Sequence, residues 1–245
     1  MSFNGKAVRA LAHDYETTGT DAYGCGVLQA ALLIVTVQQD GSYVIHDQDV
    51  QLMNPGKEIH PEASKVHGYY AIDLIDYEPW EKYLGEQMEV VNEMQLDAVI
   101  GFNSGTFDNP IASRVGFKPP RSIDLIKAGR KFKTIYKWKS AKLTSVYQEL
   151  TGKELMGAHD AAADVIGTLD MIAPAMKLAE CETLDQFVIW MKGEDGTPEM
   201  KIGFGKHKGS KLKNIPASYI DWLLGPKCDM NLSAEMIEGL KACRL

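Results

Sequence analysis

Asp14-Tyr15-Glu16-Thr17, Asn103-Ser104-Gly105-Thr106-Phe107-Asp108 and His159-Asp160-Ala161-Ala162-Ala163-Asp164 form three acidic islands, each expected at an element end. Carboxylates drawn to one point repel each other and raise one another's pKa unless cations compensate them. Convergence of Asp14, Glu16, Asp108 and Asp164 would therefore imply divalent metal. Asp14 and Glu16 are two apart at the end of an apolar strand, which puts both side chains on one face. Mg²⁺ or Mn²⁺ takes such oxygens, with water, in octahedral geometry. His159 adds an imidazole, the side chain suited to taking a proton near neutrality. The set reads as a two-metal site with a histidine beside it.

Each island also has a plainer reading. An Asp-x-Glu pair can be an acidic strand terminus facing solvent, Asp108-Asn109-Pro110 is good N-cap chemistry, and the third island can be an Ala-rich packed helix with a surface histidine. His159 and Asp164 are five apart, which on an ideal helix separates them by about 140°. They converge only if His159 precedes the regular helix, and Gly157 with Asp160 as a cap allows that. Ala161, Ala162 and Ala163 would then leave room around Asp164 for a metal and a phosphate.

The elements that must position these residues follow from apolar pattern and punctuation. Lys6 to His13, Val27 to Val37 and Tyr43 to Leu52 read as strands, and Asp40-Gly41 joins the last two as a hairpin. A Pro/Gly/His-rich connection from Asn54 to Gly68 leads to a helix over Glu78 to Met94 and a buried strand over Asp97 to Phe102. A helix is expected after Asp108, a short strand over Ile123 to Ile126, and helices over Thr144 to Leu150 and Ala161 to Leu178. An antiparallel meander followed by βα alternation gives an α/β fold, a mixed sheet flanked by helices. Asp108 then lies near the sheet's carboxyl end, where open α/β sheets commonly bind ligands. Gly193 to Pro198 is polar and flexible, so residues 1–192 are expected as one domain, 193–200 as a linker and 201–245 as a small C-terminal module.

Composition is that of an ordinary globular chain: 45% of the 245 residues are apolar, ample for a buried core. Met1 to Ala12 lacks the apolar run of a secretory signal, and no stretch is long enough to span a membrane, so a cytoplasmic location is expected. Cys25, Cys181, Cys228 and Cys243 show neither disulfide nor zinc spacing. The net charge of −7 argues against a polyanionic partner only if charge is evenly spread, and it is not. Lys127 to Lys142 carries seven positive residues and no acid, with Phe132, Tyr136 and Trp138 interleaved. Lys201 to Lys213 carries five lysines and no acid. Charge interleaved with rings suits single-stranded nucleic acid; a solvated helix face is the alternative.

D-x-E-T, N-x(3)-F-D and H-x(4)-D, in that order over residues 6 to 180, resemble the motifs of the DEDDh group of 3′→5′ exonucleases, which has a ribonuclease-H-like fold. The middle motif departs from the group's commonest form, His-Asn-Ala, one residue, then Phe-Asp: Phe102 stands before Asn103 and one more residue precedes Phe107. The resemblance implies that Asp14, Glu16 and Asp164 hold one Mg²⁺ or Mn²⁺, that Asp14 also touches a second, and that Asp108 acts nearby through water. It implies His159 as general base and a nucleoside 5′-monophosphate as product. Thr17 and Thr18 resemble the loop that holds the terminal nucleotide, and His67-Gly68 resembles a substrate-side loop; plain turn residues are the alternative for both. Asn103 and Phe107 fall in the substrate-contacting part of the middle motif.

Phe204-Gly205-Lys206-His207-Lys208-Gly209, then Leu212, Ile215-Pro216, Tyr219 and Trp222-Leu223, resembles the small C-terminal module of exodeoxyribonuclease X, which favours DNA as the partner. An exoribonuclease of the same group and a non-catalytic nucleic-acid-binding module are the alternatives.

Overall fold

A computed structural model describes residues 2–193 and 202–225, with 228, 236, 237 and 240. The expected linker lies outside the described residues from Glu194 on. The chain divides into two compact units, Phe3–Phe187 and a second formed by Met1–Ser2 with Val188–Leu245.

The first unit carries a five-stranded sheet in the order β3-β2-β1-β4-β5. Its strands are β1 (Val8–Thr17), β2 (Val27–Val37), β3 (Tyr43–Leu52), β4 (Ala98–Gly101) and β5 (Arg121–Asp124). β1 pairs antiparallel with β2 and parallel with β4; β2–β3 is antiparallel and β4–β5 parallel. Helices described over their whole length are α1 (Pro61–His67), α2 (Trp80–Glu93), α3 (Asp108–Ser113), α4 (Ile126–Tyr136), α5 (Leu143–Thr151), α6 (Ala161–Asp170), α7 (Ile172–Leu178) and α8 (Leu184–Lys192), with α9 (Ala217–Leu224) in the second unit. The expected mixed sheet, meander first and parallel strands after, is the one observed.

The two faces of the sheet differ in what they bury. Leu11 and Tyr15 of β1 share a core with Trp80, Leu84 and Met88 of α2 and Ile111 and Ala112 of α3. Alternation turns Ala10, Ala12, Asp14 and Glu16 to the other face, where α6 lies against β1 and β2. The fully buried Ala10, Ala12, Ala31 and Ala161 let that helix approach closely.

Several elements differ from expectation for identifiable reasons. β1 runs to Thr17 rather than stopping at His13, because β2 continues to pair with it through Glu16↔Gln29, with a bulge between Glu16 and Thr17. The stretch from Ala161 to Leu178 is two helices. Pro174 has no N–H to give to residue 170 and crowds its carbonyl, and the break falls at Met171. α1 occupies part of the expected connection, with His60 as N-cap and Pro61 opening the first turn. β5 lies slightly upstream of its expected position, and the first part of the basic stretch forms α4, with Lys137, Lys139 and Lys142 beyond its end. Its Phe132 is fully buried and belongs to the core, whereas Tyr136 and Trp138 stack at 6.1 Å between ring centroids. Among the described residues no helix is long and apolar enough to cross a membrane.

Candidate metal centre

β1 extends past the last β4 pairing, Ala12↔Ile100, so Asp14 and Glu16 project at the carboxyl ends of the two parallel strands. Asp14 is half-buried and Glu16 buried. The chain leaving β4 turns sharply at Asn103 (φ 68°) before entering α3. Asp108, at the first position of α3, does not cap it: its Oδ1 accepts the backbone N–H of Tyr15 at 3.2 Å, and the cap position, Phe107, makes no side-chain bond. That bond ties the second island to the first.

His159 precedes α6, as convergence requires. Its backbone is left-handed (φ 71°), and Asp160 caps the helix by accepting from Ala162 and Ala163 N–H at 3.1 Å. The turn brings the His159 N–H to 3.4 Å from Asp164 Oδ2. Ligand atoms of Glu16, His159 and Asp164 all lie within 4.8 Å of one another. His159 is exposed, while Glu16 and Asp164 are buried.

Four acids share this corner, and their protonation reflects it. Burial, then the charges of Asp108, Asp164 and Glu16, raises the Asp14 carboxyl well above its ordinary range. Burial first and Asp164 next push Glu16 up to about 8. Burial raises Asp108 to about 7 against the backbone N–H groups it accepts, and raises Asp164 to about 6 against the N–H and charge of His159. Among the described residues no lysine or arginine acts on any of the four to hold it down. Asp164 Oδ1 is buried with no hydrogen-bond partner. An orphaned carboxylate oxygen beside a second carboxylate and an imidazole is what a divalent cation would satisfy, so these residues fit such an ion.

The other expected contacts lie around this corner in different states. The Thr17 hydroxyl donates to the Gly19 carbonyl at 2.8 Å, and the Thr18 hydroxyl accepts the Gly26 N–H at 3.0 Å. Both hydroxyls therefore build the loop after β1. His67 stacks on Tyr69 and accepts its backbone N–H at Nδ1 at 3.0 Å. Its pKa is lowered, by burial first and also by the His159 charge, which places it in the same electrostatic neighbourhood. Asn103 Oδ1 accepts the Thr106 hydroxyl at 3.0 Å, and Phe107 packs partly against the sheet core.

Three positioning residues escaped sequence reasoning. Asp124, buried at the end of β5, accepts the N–H groups of Asn103 at 2.7 Å and Gly105 at 3.1 Å, fixing the middle loop. A Cβ on Gly105 would stand 3.1 Å from Asp124 Oδ2, so glycine admits this approach. His13 bridges Tyr15 Oη at 2.9 Å and Asn109 Oδ1 at 2.8 Å, and burial lowers its pKa to about 4, keeping the ring neutral. Gln29 donates from Nε2 to Asp160 Oδ2 at 2.8 Å and accepts the Ala161 N–H through Oε1 at 3.0 Å. The only sequence signal for Gln29 is one amide inside an otherwise apolar strand.

Gln29 thus bolts the start of α6 to the sheet, and with it His159 and Asp164. Gln29→Leu keeps the volume roughly but leaves a buried N–H and a carboxylate oxygen unpaired, so it should cost about 1–3 kcal/mol of stability. Any turnover that uses His159 should fall roughly tenfold through misplacement. Chemical denaturation alongside single-turnover rates checks both, and a variant with unchanged rate would show that the clamp does not position the histidine.

The chain matches no model of a known protein family. No curated protein matches it either. Among solved structures it is similar to Escherichia coli exonuclease I in complex with a dT13 oligonucleotide, with a TM-score of 0.60 and 19% identity over 75% of this chain and 42% of that one. The zinc-bound complex of the same enzyme with single-stranded DNA gives 0.59 and 19% over 70% and 41%. A further exonuclease I structure gives 0.61 and 18% over 75% and 43%. The chain spans about two-fifths of the length of these relatives. At this identity the likeness shows the fold: the chain has the ribonuclease-H-like mixed sheet, flanked by helices, that exonuclease I has.

Proposed function

We propose that the chain is a metal-dependent 3′→5′ exodeoxyribonuclease of the DEDDh type that releases nucleoside 5′-monophosphates from single-stranded or frayed DNA ends. The carrying observation is the meeting of Glu16, His159 and Asp164, with its orphaned Oδ1, at the carboxyl ends of β1 and β4. Neighbours of the same fold in complex with single-stranded DNA support the choice of substrate.

In this reading Asp14, Glu16 and Asp164 hold one divalent cation, Asp14 also touches a second, and Asp108 supports them through water. Two Mg²⁺ or Mn²⁺ ions, when bound, supply Lewis-acid charge to the scissile phosphate and the leaving 3′ oxygen. His159, exposed and held by its left-handed turn, takes the proton of the attacking water on its ring. The water oxygen bonds to phosphorus as the bond to the 3′ oxygen breaks. The terminal nucleotide leaves with its 5′ phosphate, and the shortened strand's 3′ oxygen takes up a proton from solvent. The loop after β1, closed by Thr17 and Thr18, and the pinned Asn103–Phe107 turn flank this point and would frame the terminal nucleotide. Residues 1–192 form the nuclease domain in this reading, and 201–245 the counterpart of the exodeoxyribonuclease X module.

The test is 5′-labelled single-stranded DNA and RNA of matched sequence, incubated with Mg²⁺, Mn²⁺ or EDTA. The expected result is metal-dependent shortening of DNA from its 3′ end, with mononucleotides released and none in EDTA. Preferential RNA shortening would move the substrate to RNA, and binding without cleavage in either metal would overturn the enzymatic reading.

A further inference from the structure

The second unit has a small core of its own, in which Ile202, Leu212, Ile215, Ile220, Leu223 and Leu240 are buried. Against it packs Tyr219, the middle one of a row of three rings. Tyr219 and Trp222, one turn apart on α9, stack with centroids 5.4 Å apart and planes 29° apart. The His207 ring meets Tyr219 edge-on at 4.7 Å. Trp222 is 40% exposed, so it is not core filling.

The loop that carries His207 is built against this row. Lys208 N–H donates to the Gly205 carbonyl at 3.2 Å, Gly209 N–H to that of Ile202 at 2.7 Å and Ser210 N–H to that of His207 at 3.0 Å. Gly205 is left-handed (φ +65°), and a Cβ there would lie 2.4 Å from Tyr219 Oη, so only glycine lets the loop close on the ring. Lys206 and Lys208 stand exposed on it. From Lys201 to Ile220 there are five lysines and no acid; Asp221 is the first.

We infer that this ring row and its lysine loop form a second nucleic-acid site, which holds a single strand of DNA with bases on Trp222 and Tyr219 and phosphates on Lys206 and Lys208. The exposed Trp222 ring, with the half-buried Tyr219 beside it and the exposed Lys206 and Lys208 close in the chain, matches an unpaired polyanion whose base faces are free. A duplex hides those faces, and a protein partner chosen by apolar contact would not need the lysines. The choice of DNA over RNA rests on the exonuclease reading. Held at two places, a strand rebinds before it escapes, so long substrates gain affinity that short ones do not.

The test uses the full chain in EDTA, where no cleavage occurs, and reads anisotropy of a labelled oligothymidylate of about 30 nucleotides, long enough for several site sizes. Trp222→Ala should weaken binding roughly tenfold, and Trp222→Phe, which keeps a ring, should restore most of it. Lys206→Ala with Lys208→Ala should flatten the slope of log affinity against log salt by about 1.4. In Mg²⁺ the same variants should raise KM on the long substrate and leave kcat and KM on a tetranucleotide unchanged. Wild-type affinity and salt slope in both the Trp222→Ala and the double-lysine proteins would overturn the site, as would Trp222→Phe binding no better than Trp222→Ala. Because anisotropy is read without turnover, a chain that binds in this way but cleaves nothing would sink the exonuclease reading alone.

Discussion

Asp164→Asn is expected to lower single-turnover cleavage of single-stranded DNA by about a thousandfold or more, the scale of losing a group on which metal-assisted phosphoryl chemistry depends. The same change should make the metal-free protein more stable by roughly 1–3 kcal/mol, because it removes a buried negative charge that faces other carboxylates and has one oxygen unsatisfied. The two effects have opposite signs, and a packing role would not produce both. Among the described residues Asp164 Oδ1 has no hydrogen-bond partner, and its carboxylate lies within 4.8 Å of a Glu16 oxygen. A residue kept for packing would lose stability on replacement. Calorimetry in EDTA and in Mg²⁺ should therefore show a raised melting temperature without metal and a much smaller gain on adding metal. A variant that cleaves at the normal rate, or that is destabilised in EDTA, would remove Asp164 from the centre.

Metal-free protein should lose stability as pH rises from about 4 to about 8, by roughly 2–4 kcal/mol in all. Each tenfold change in a carboxyl's proton affinity is worth ~1.4 kcal/mol, and partial solvent access screens the sum. The sign follows from the carboxyls. Their ordinary values are 3.8 and 4.5, whereas in the fold Asp164 is raised to about 6, Asp108 to about 7, Glu16 to about 8 and Asp14 well above its ordinary range. Between those limits the folded chain binds more protons than the unfolded one, so stability is full below the unfolded pKa and is lost as pH passes the folded values. Saturating Mg²⁺ competes with those protons. Its stabilising effect should grow from pH 6 to pH 8, and binding should release protons that calorimetry in buffers of different ionisation enthalpy can count. Stabilisation by Mg²⁺ that is independent of pH, with no proton release, would contradict carboxylates meeting at one ion site.

Much of this is legible in the sequence. The β2–β3 hairpin announces itself at Asp40-Gly41, and His159 at a pre-helical position follows from its spacing to Asp164 together with the cap at Asp160. What stays hidden depends on distant partners. Gln29 reads as a stray amide in a strand because its partners are Asp160 and Ala161, more than a hundred residues on. Asp124 reads as a strand-end acid because the loop it pins lies about twenty residues back. β1 reads as ending at His13 because Asp14, Glu16 and Thr17 look like turn residues; only pairing with β2 extends the strand. Phe132 looks available for stacking because sequence gives composition but not which face of α4 turns inward.

The sheet order also sets a timetable for synthesis. The meander of β1, β2 and β3 is contiguous in sequence and can pair as soon as residue 52 is free, with short loops to close. Asp14 and Glu16 are thus placed early, yet the third side of their corner arrives only when α6 docks, about 110 residues later in the chain. A nascent chain held on the ribosome would carry half a metal site beside its own messenger for the whole of that interval. In the proposed exonuclease reading, cleavage would wait until the helix bearing Asp164 is bolted down through Gln29.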